Sequence, residues 1–183
     1  MKAICVFCGS HLGNDPAYAT MARHAAETIV RGGYAIVYGG GSIGLMGVVA
    51  DAALQAGGDV IGVIPQALAR TEVAHEGLTE LHLVNTMHER KALMEDRSDA
   101  FVALPGGFGT MDEFCEILSW RQLRIHDKPI GLLNYGGYYD SLLRLFDSMV
   151  TAGFIGPHTR RLFADEDTIE QLLPAMFEPK NLP

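Results

Sequence analysis

The sequence predicts an α/β domain, a doubly wound parallel sheet with helices on both faces. Three observations predict it. Short apolar runs alternate with helical patterns at least five times along the chain. The runs are almost continuously apolar rather than alternating, as in strands covered on both sides. The length, 183 residues, suits a single domain, 1–183, with a sizeable core.

The elements follow in order. "AICVFC" reads as the first strand. Asp15 and Pro16 offer an N-cap and an N1 proline, opening a helix to about Arg31 that Gly32-Gly33 ends. "YAIVY" is the second strand. "GGGSIG" opens a helix that runs to Ala56 and stops at Gly57-Gly58. "DVIGVI" is the third strand, ended by Pro65, and residues 65–80 read as an irregular loop. "LHLV" is a short fourth strand before a helix from Thr86 to about Arg97. "AFVAL" is the fifth, followed by a helix that Thr110 can start. "PIGLLN" is the sixth, before a helix from about Tyr138 to Ala152. Residues 164–183 form a C-terminal tail with one more helical pattern, "EDTIEQLLPAMF".

Charge narrows the partners. Lys and Arg number 14 against 22 Asp and Glu, a formal net charge of −8. A field of that sign repels polyanions, so no nucleic-acid partner is expected. A small phosphorylated ligand remains compatible, because backbone amides bind phosphate locally. No apolar run approaches the roughly 18 residues of a membrane span. The start, "MKAICVFCGS", lacks the long apolar stretch and cleavage site of a secretory signal. A cytoplasmic protein without a membrane partner is the expectation. Cys5 and Cys8 fall inside a predicted strand, where residues three apart face opposite sides, so buried reduced thiols are expected rather than a bridge.

Ligands on such sheets bind beyond the carboxyl ends of the strands. The loops after Tyr38, Val84 and Leu104 are therefore the candidates. In the first, Gly39, Gly41 and Gly44 satisfy G-x-G-x-x-G between a strand and a helix. The acidic ribose reader of a dinucleotide site is missing from the end of the next strand, where Ile64, Pro65 and Gln66 stand. No Gly-Lys-Ser/Thr follows either. Gly39, Gly40 and Gly41 read equally as a tight turn with close helix packing or as a close approach to a ligand.

In the second loop, Thr86 and Glu89 form a capping box. Arg90 and Lys91 lie just past the first turn, and an i,i+4 pair of Lys91 with Glu95 is worth about 0.2–0.5 kcal/mol. On physics alone, both read as members of a solvated face. In the third loop, Gly106, Gly107 and Gly109 strip side chains from the backbone, so amides can point at a ligand. A helix N-terminus stabilises an anion by about 0.3–1 kcal/mol. Thr110-x-x-Glu113 is equally a capping box, so the glycines leave a phosphate cradle and a capped turn both open. Asp112 reads as a solvated first-turn residue, with a second acid in the site as the alternative.

Four motifs in this order have a counterpart. "GGGSIGLMG", "MHERK", "PGGFGTMDE" and "SWRQLRIHDKPIGLLN" together resemble the LONELY GUY (LOG) family, the cytokinin riboside 5′-monophosphate phosphoribohydrolases. The similarity runs from about Ile4 to Ile155. It implies a Rossmann-like fold and a homodimer. It also implies a hydrolase that cleaves the N-glycosidic bond of a nucleoside 5′-monophosphate, a cytokinin nucleotide or AMP, to free base and ribose 5-phosphate. No cofactor and no metal are implied.

The family's catalytic positions fall on Arg90 and Glu113. Its substrate-binding positions fall on Lys91 and on Gly106, Gly107, Phe108, Gly109, Thr110, Met111 and Asp112, with Glu72 and Ser119. The carboxylate suits the positive charge that builds on a ribose ring as its glycosidic bond breaks. Arg90 could hold the phosphate or donate to the departing base. The other reading is a non-catalytic nucleotide-binding or carrier protein of the same fold. Some relatives carry a lysine decarboxylase label. The only lysines are Lys2, Lys91, Lys128 and Lys180, and none stands in a recognisable cofactor-binding context.

Overall fold

The computed structural model describes residues 2–69 and 73–178. The chain opens with β1 (Ala3–Phe7), all five residues buried, and α1 (Pro16–Arg31). The Asp15 carboxylate accepts the Ala17 amide at 2.9 Å and caps α1 as the sequence predicts. Next come β2 (Ala35–Tyr38), α2 (Gly44–Gln55), β3 (Val60–Pro65) and β4 (Glu80–Val84). Then follow α3 (Met87–Asp96), β5 (Ala100–Ala103), α4 (Phe108–Gln122) and β6 (Ile130–Leu133). The chain continues through α5 (Asp140–Thr151), α6 (Pro157–Arg160), β7 (Ala164–Glu166) and α7 (Ile169–Phe177).

The strands form one parallel sheet in the order β4-β3-β2-β1-β5-β6-β7. Alternation along β1 divides the core. Ile4 and Val6 pack with Met21, Ile29, Val49 and Leu172 of α1, α2 and α7. Cys5 and Phe7 pack with Met94, Phe114, Ile117 and Phe146 of α3, α4 and α5. Helices therefore cover both faces, and each fully buried Leu, Ile or Phe contributes about 1.5–3 kcal/mol. Cys5 and Cys8 are both free and buried, and they belong to opposite halves of this core.

Three boundaries differ from the sequence expectation. The tail supplies a seventh strand, β7, paired to β6 through Gly131–Ala164 and Leu133–Glu166. Its "ADE" is too short and too acidic to stand out as an apolar run; pairing with β6 makes it a strand. Helix α4 begins at Phe108 with Gly107 as N-cap, two residues before Thr110. Helix α5 begins at Asp140 rather than Tyr138, because Tyr135–Gly137 form a 3-10 turn with Gly136 at φ 60°.

The strand order locates the site. Chain growth runs outward from β1 through β2 and β3 to β4, and in the other direction from β5 through β6 to β7. The reversal lies between β1 and β5, and ligands of such sheets bind there.

Candidate active site

A cavity of about 310 Å³ opens at this switch point. The loop after β1 lines it with Gly9, Ser10 and His11. Gly39 enters from the end of β2, Met46 from α2 and Arg90 from α3. Gly107, Phe108, Gly109, Thr110 and Glu113 enter from the start of α4.

Arg90 is not on a solvated face. It is 6% exposed, and its Nη2 lies 3.8 Å from Glu113 Oε1. The same nitrogen donates to the Gly39 carbonyl at 3.4 Å. Gly39 is required there, because a Cβ would stand 1.9 Å from Nη2. The Nε of Arg90 is buried and has no partner among the described residues. α3 is set by its cap: Thr86 Oγ1 accepts the Glu89 amide at 3.1 Å. The Glu89 carboxylate reaches one residue further than a capping box requires and accepts the Asn85 amide at 2.8 Å.

The start of α4 removes the capping-box reading of Thr110 and Glu113. With Gly107 as N-cap, no side chain caps the helix. Thr110 is the third helical residue, and Glu113 sits one turn further on the same face. Thr110 is 3% exposed, and its hydroxyl is buried without a partner among the described residues. A Cβ on Gly106 would lie 2.1 Å from that hydroxyl. Around Gly107 and Gly109, among the described residues, nothing lies within 4 Å of where a Cβ would be. These two glycines therefore border open space, beside the first-turn amides of α4 and a buried hydroxyl. Uncapped first-turn amides of this kind can bind an anion such as phosphate.

The loop after β5 is held from behind. Tyr138 donates its hydroxyl to the Gly106 carbonyl and Tyr139 donates to the Leu104 carbonyl, each at 2.7 Å. Burial, reinforced by the Glu113 carboxylate, pushes the Cys8 thiol beyond its usual range, so this cavity-lining sulfur stays protonated. Among the described residues, no three His, Cys, Asp or Glu side chains converge as metal ligands. Among them also, no helix is long and apolar enough to cross a membrane.

The other predicted residues are placed differently. Lys91 is not among the residues lining the cavity, and Glu95 pairs with Lys128 instead. The Lys91 Nζ lies 3.0 Å from Glu116 Oε1 and 3.1 Å from Asp112 Oδ2. Burial pulls the Lys91 pKa down, but these carboxylates outweigh it and raise the pKa overall. Lys91 and Glu113 border the same small crevice. Phe108 stands on the rim, 97% exposed, while Met111 packs against the core. Ser119 does not border the cavity; its hydroxyl donates to the Cys115 carbonyl at 2.7 Å. Gly40 makes a turn at φ 76° and Gly41 bridges to Ala74, and neither lines the cavity. Glu72 lies outside the described residues. The residues that sequence reasoning missed are those of the loop after β1. "FCGSH" carries the signal of an apolar run breaking at a glycine, but only the strand order gives that loop its place.

Fold and cavity thus define an α/β protein with an anion-ready pocket at its switch point. Residues 46–176 match the sequence family described as "Possible lysine decarboxylase". Over 173 residues the chain is 50% identical to an Oryza sativa subsp. japonica protein named probable cytokinin riboside 5′-monophosphate phosphoribohydrolase LOGL1, covering 94% of this chain and 78% of that one. It is 48% identical over 172 residues to cytokinin riboside 5′-monophosphate phosphoribohydrolase LOG1 of Arabidopsis thaliana, covering 94% and 81%. Among solved structures, the molybdenum cofactor binding protein of Rippkaea orientalis superposes with a TM-score of 0.70 at 20% identity, over 95% of this chain and 94% of that one, a likeness of fold. The chain belongs to this family, the LONELY GUY family.

Proposed function

We propose that the protein hydrolyses the N-glycosidic bond of cytokinin riboside 5′-monophosphates, and of AMP, releasing the free base and ribose 5-phosphate. The observation that carries this reading is the buried pair Arg90 and Glu113, set one helical turn from an uncapped helix start, in a chain 48–50% identical to relatives named for this reaction.

The 5′-phosphate sits against the first-turn amides of α4 with the Thr110 hydroxyl as a further donor. Gly107 and Gly109 allow it to approach. That seat brings the ribose toward Glu113. As the C1′–N bond breaks, its electron pair leaves with the base and positive charge spreads over the sugar ring. The Glu113 carboxylate stabilises that charge, and water adds to C1′. The proton that water loses balances the one the departing base takes up. Arg90 acts electrostatically: it holds the Glu113 carboxylate in place and offers its buried Nε toward an anionic ligand. Lys91, clamped by two carboxylates, steadies the underside of Glu113.

The LONELY GUY resemblance also supports a cytoplasmic homodimer that takes a free nucleotide rather than nucleic acid; light scattering tests the dimer. The activity is tested by incubating AMP and N6-isopentenyladenosine 5′-monophosphate with the protein, with the matching nucleosides as controls. Base release from the nucleotides and not from the nucleosides is expected. Tight binding of intact nucleotide without release would mark a carrier.

A further inference from the structure

A second cavity, of about 850 Å³, lies at the other end of the sheet. Arg121, Arg124 and Asp127 belong to the end of α4 and its link to β6, and His158, Thr159 and Leu162 come just before β7. The cavity therefore opens at the amino ends of β6 and β7, whereas the candidate active site stands beyond the carboxyl ends of the strands. The two share no lining residue.

Its charge departs from that of the whole chain. The net charge is −8, yet the described lining carries Arg121 and Arg124 against one acid, Asp127. His126 is already engaged. Its Nε2 donates to the Ile117 carbonyl at 3.0 Å, its Nδ1 accepts the Lys128 amide at 3.1 Å, and burial lowers its pKa. The His158 side chain has no such hydrogen bond among the described residues.

Two features of the arginines go beyond what the fold requires. The first is backbone. Helix α4 ends in a Schellman turn: the Ile125 amide donates to the Trp120 carbonyl at 2.9 Å and the Arg124 amide to the Arg121 carbonyl at 3.1 Å. Arg124 holds the left-handed position of that turn, at φ 61°, where a Cβ is strained and glycine is usual. A cation near a helix C-terminus gains from the dipole. Leu123 beside it, at φ −78°, offers an unstrained place for one, so the dipole does not account for an arginine at 124. Strained side chains of this kind collect at functional sites. The second feature is a missing partner. Arg121 Nη1 donates to the Lys128 carbonyl at 2.8 Å, but its buried Nε has no partner among the described residues. Burial lowers the Arg121 pKa, and the Asp127 charge offsets that only in part. A cation left short of compensation in this way is stabilised by an anion.

The geometry points to a second anion site, in which Arg121, Arg124 and His158 receive the diphosphate group of a small molecule whose uncharged part lies against Ile125 and Leu162. Guanidinium groups bind phosphate oxygens in pairs, and two of them suit a multiply charged group. The space exceeds what a lone phosphate fills and lies inside the usual small-ligand range of about 300–1,000 Å³. The site stands apart from the nucleotide reading above.

The test is calorimetric titration with inorganic pyrophosphate of the wild type, Arg124→Gly and Gly107→Ala. Losing a charged hydrogen-bonding partner weakens binding by about tenfold or more. Arg124→Gly should weaken one pyrophosphate-binding event by that factor, and the same event should persist in Gly107→Ala, whose change lies at the far end of the sheet. Without ligand, Arg124→Gly should melt no lower than the wild type, because glycine relieves the left-handed strain. Absence of pyrophosphate binding by the wild type overturns the inference, as does binding unchanged in Arg124→Gly. Binding lost in Gly107→Ala instead places the anion at the start of α4 and overturns it too. A clear drop in the melting temperature of Arg124→Gly would make Arg124 a residue of the fold rather than of a site.

Discussion

Arg90 Nη2 and Glu113 Oε1 lie 3.8 Å apart, on two different helices and both at least nine-tenths buried. The distance is that of an ion pair, longer than a hydrogen bond. In the reaction proposed above, opposite charges buried this way would act on the developing sugar cation and its phosphate. Because α4 begins at Phe108 with Gly107 as N-cap, Glu113 does not stand at the capping-box position.

Glu113→Gln follows from that. The amide keeps the volume and loses the charge. Removing a positioned acid–base or electrostatic group costs about 10²–10⁴ in rate. We expect base release from AMP to fall by at least about 10²-fold while the circular-dichroism melt stays close to wild type. Activity near wild type in a folded variant would remove Glu113 from the chemistry.

Gly39→Ala tests Arg90 without touching its charge. The new methyl would stand 1.9 Å from Nη2 and displace the guanidinium, the mobile end of its side chain. Strand β2 keeps its pairing, so stability should fall by no more than about 1–2 kcal/mol. Turnover should fall about 10–10²-fold, as for a misplaced catalytic group. A loss of stability with normal specific activity would show that Arg90 only supports the fold.

Much of the fold was legible because local signals and tertiary structure agree. Asp15-Pro16 starts a helix by the same hydrogen bond that the sequence suggests. The six longer apolar runs all became strands of one sheet. The misses share a cause, which is that they depend on what lies across space. "ADE" is a strand because β6 offers an edge. Arg90 looks like a surface cation along its helix and is buried against Gly39 and Glu113. Thr110-x-x-Glu113 has the spacing of a capping box, yet the helix already runs through both residues. The loop after β1 belongs to the site only because β1 and β5 are neighbours, which no local pattern encodes.

Alkaline pH should unfold the protein earlier than its net charge alone suggests. Burial raises the pKa of Cys5, Cys8, Tyr38 and Tyr139, in each case as the largest cause. A raised value means that the folded state holds the proton more tightly. The contribution is fully present below the unfolded thiol value of about 8.5 and is lost as pH rises above it. Urea unfolding should therefore give constant stability near pH 7–8 and a decline beginning at roughly pH 9. Cys8→Ala should make that decline shallower; an unchanged slope would mean that the thiol titrates freely in the folded chain.

Gly107→Ala separates a phosphate cradle from a mere turn. Gly107 has φ −94° and ψ −153°, an extended conformation open to alanine, and among the described residues nothing lies within 4 Å of the added methyl. The free protein should tolerate it to within about 0.5 kcal/mol, like an ordinary surface substitution. Gly106→Ala is the contrast: its methyl would meet Thr110 Oγ1 at 2.1 Å and the Gly9 amide nitrogen at 2.9 Å, so it should lower Tm. If the space beside Gly107 holds phosphate, the methyl collides only with the ligand. KM for AMP should then rise by about tenfold or more with a smaller change in kcat, the pattern of lost ground-state binding. An unchanged KM in the stable Gly107→Ala protein would place the phosphate elsewhere and leave the glycines as a turn.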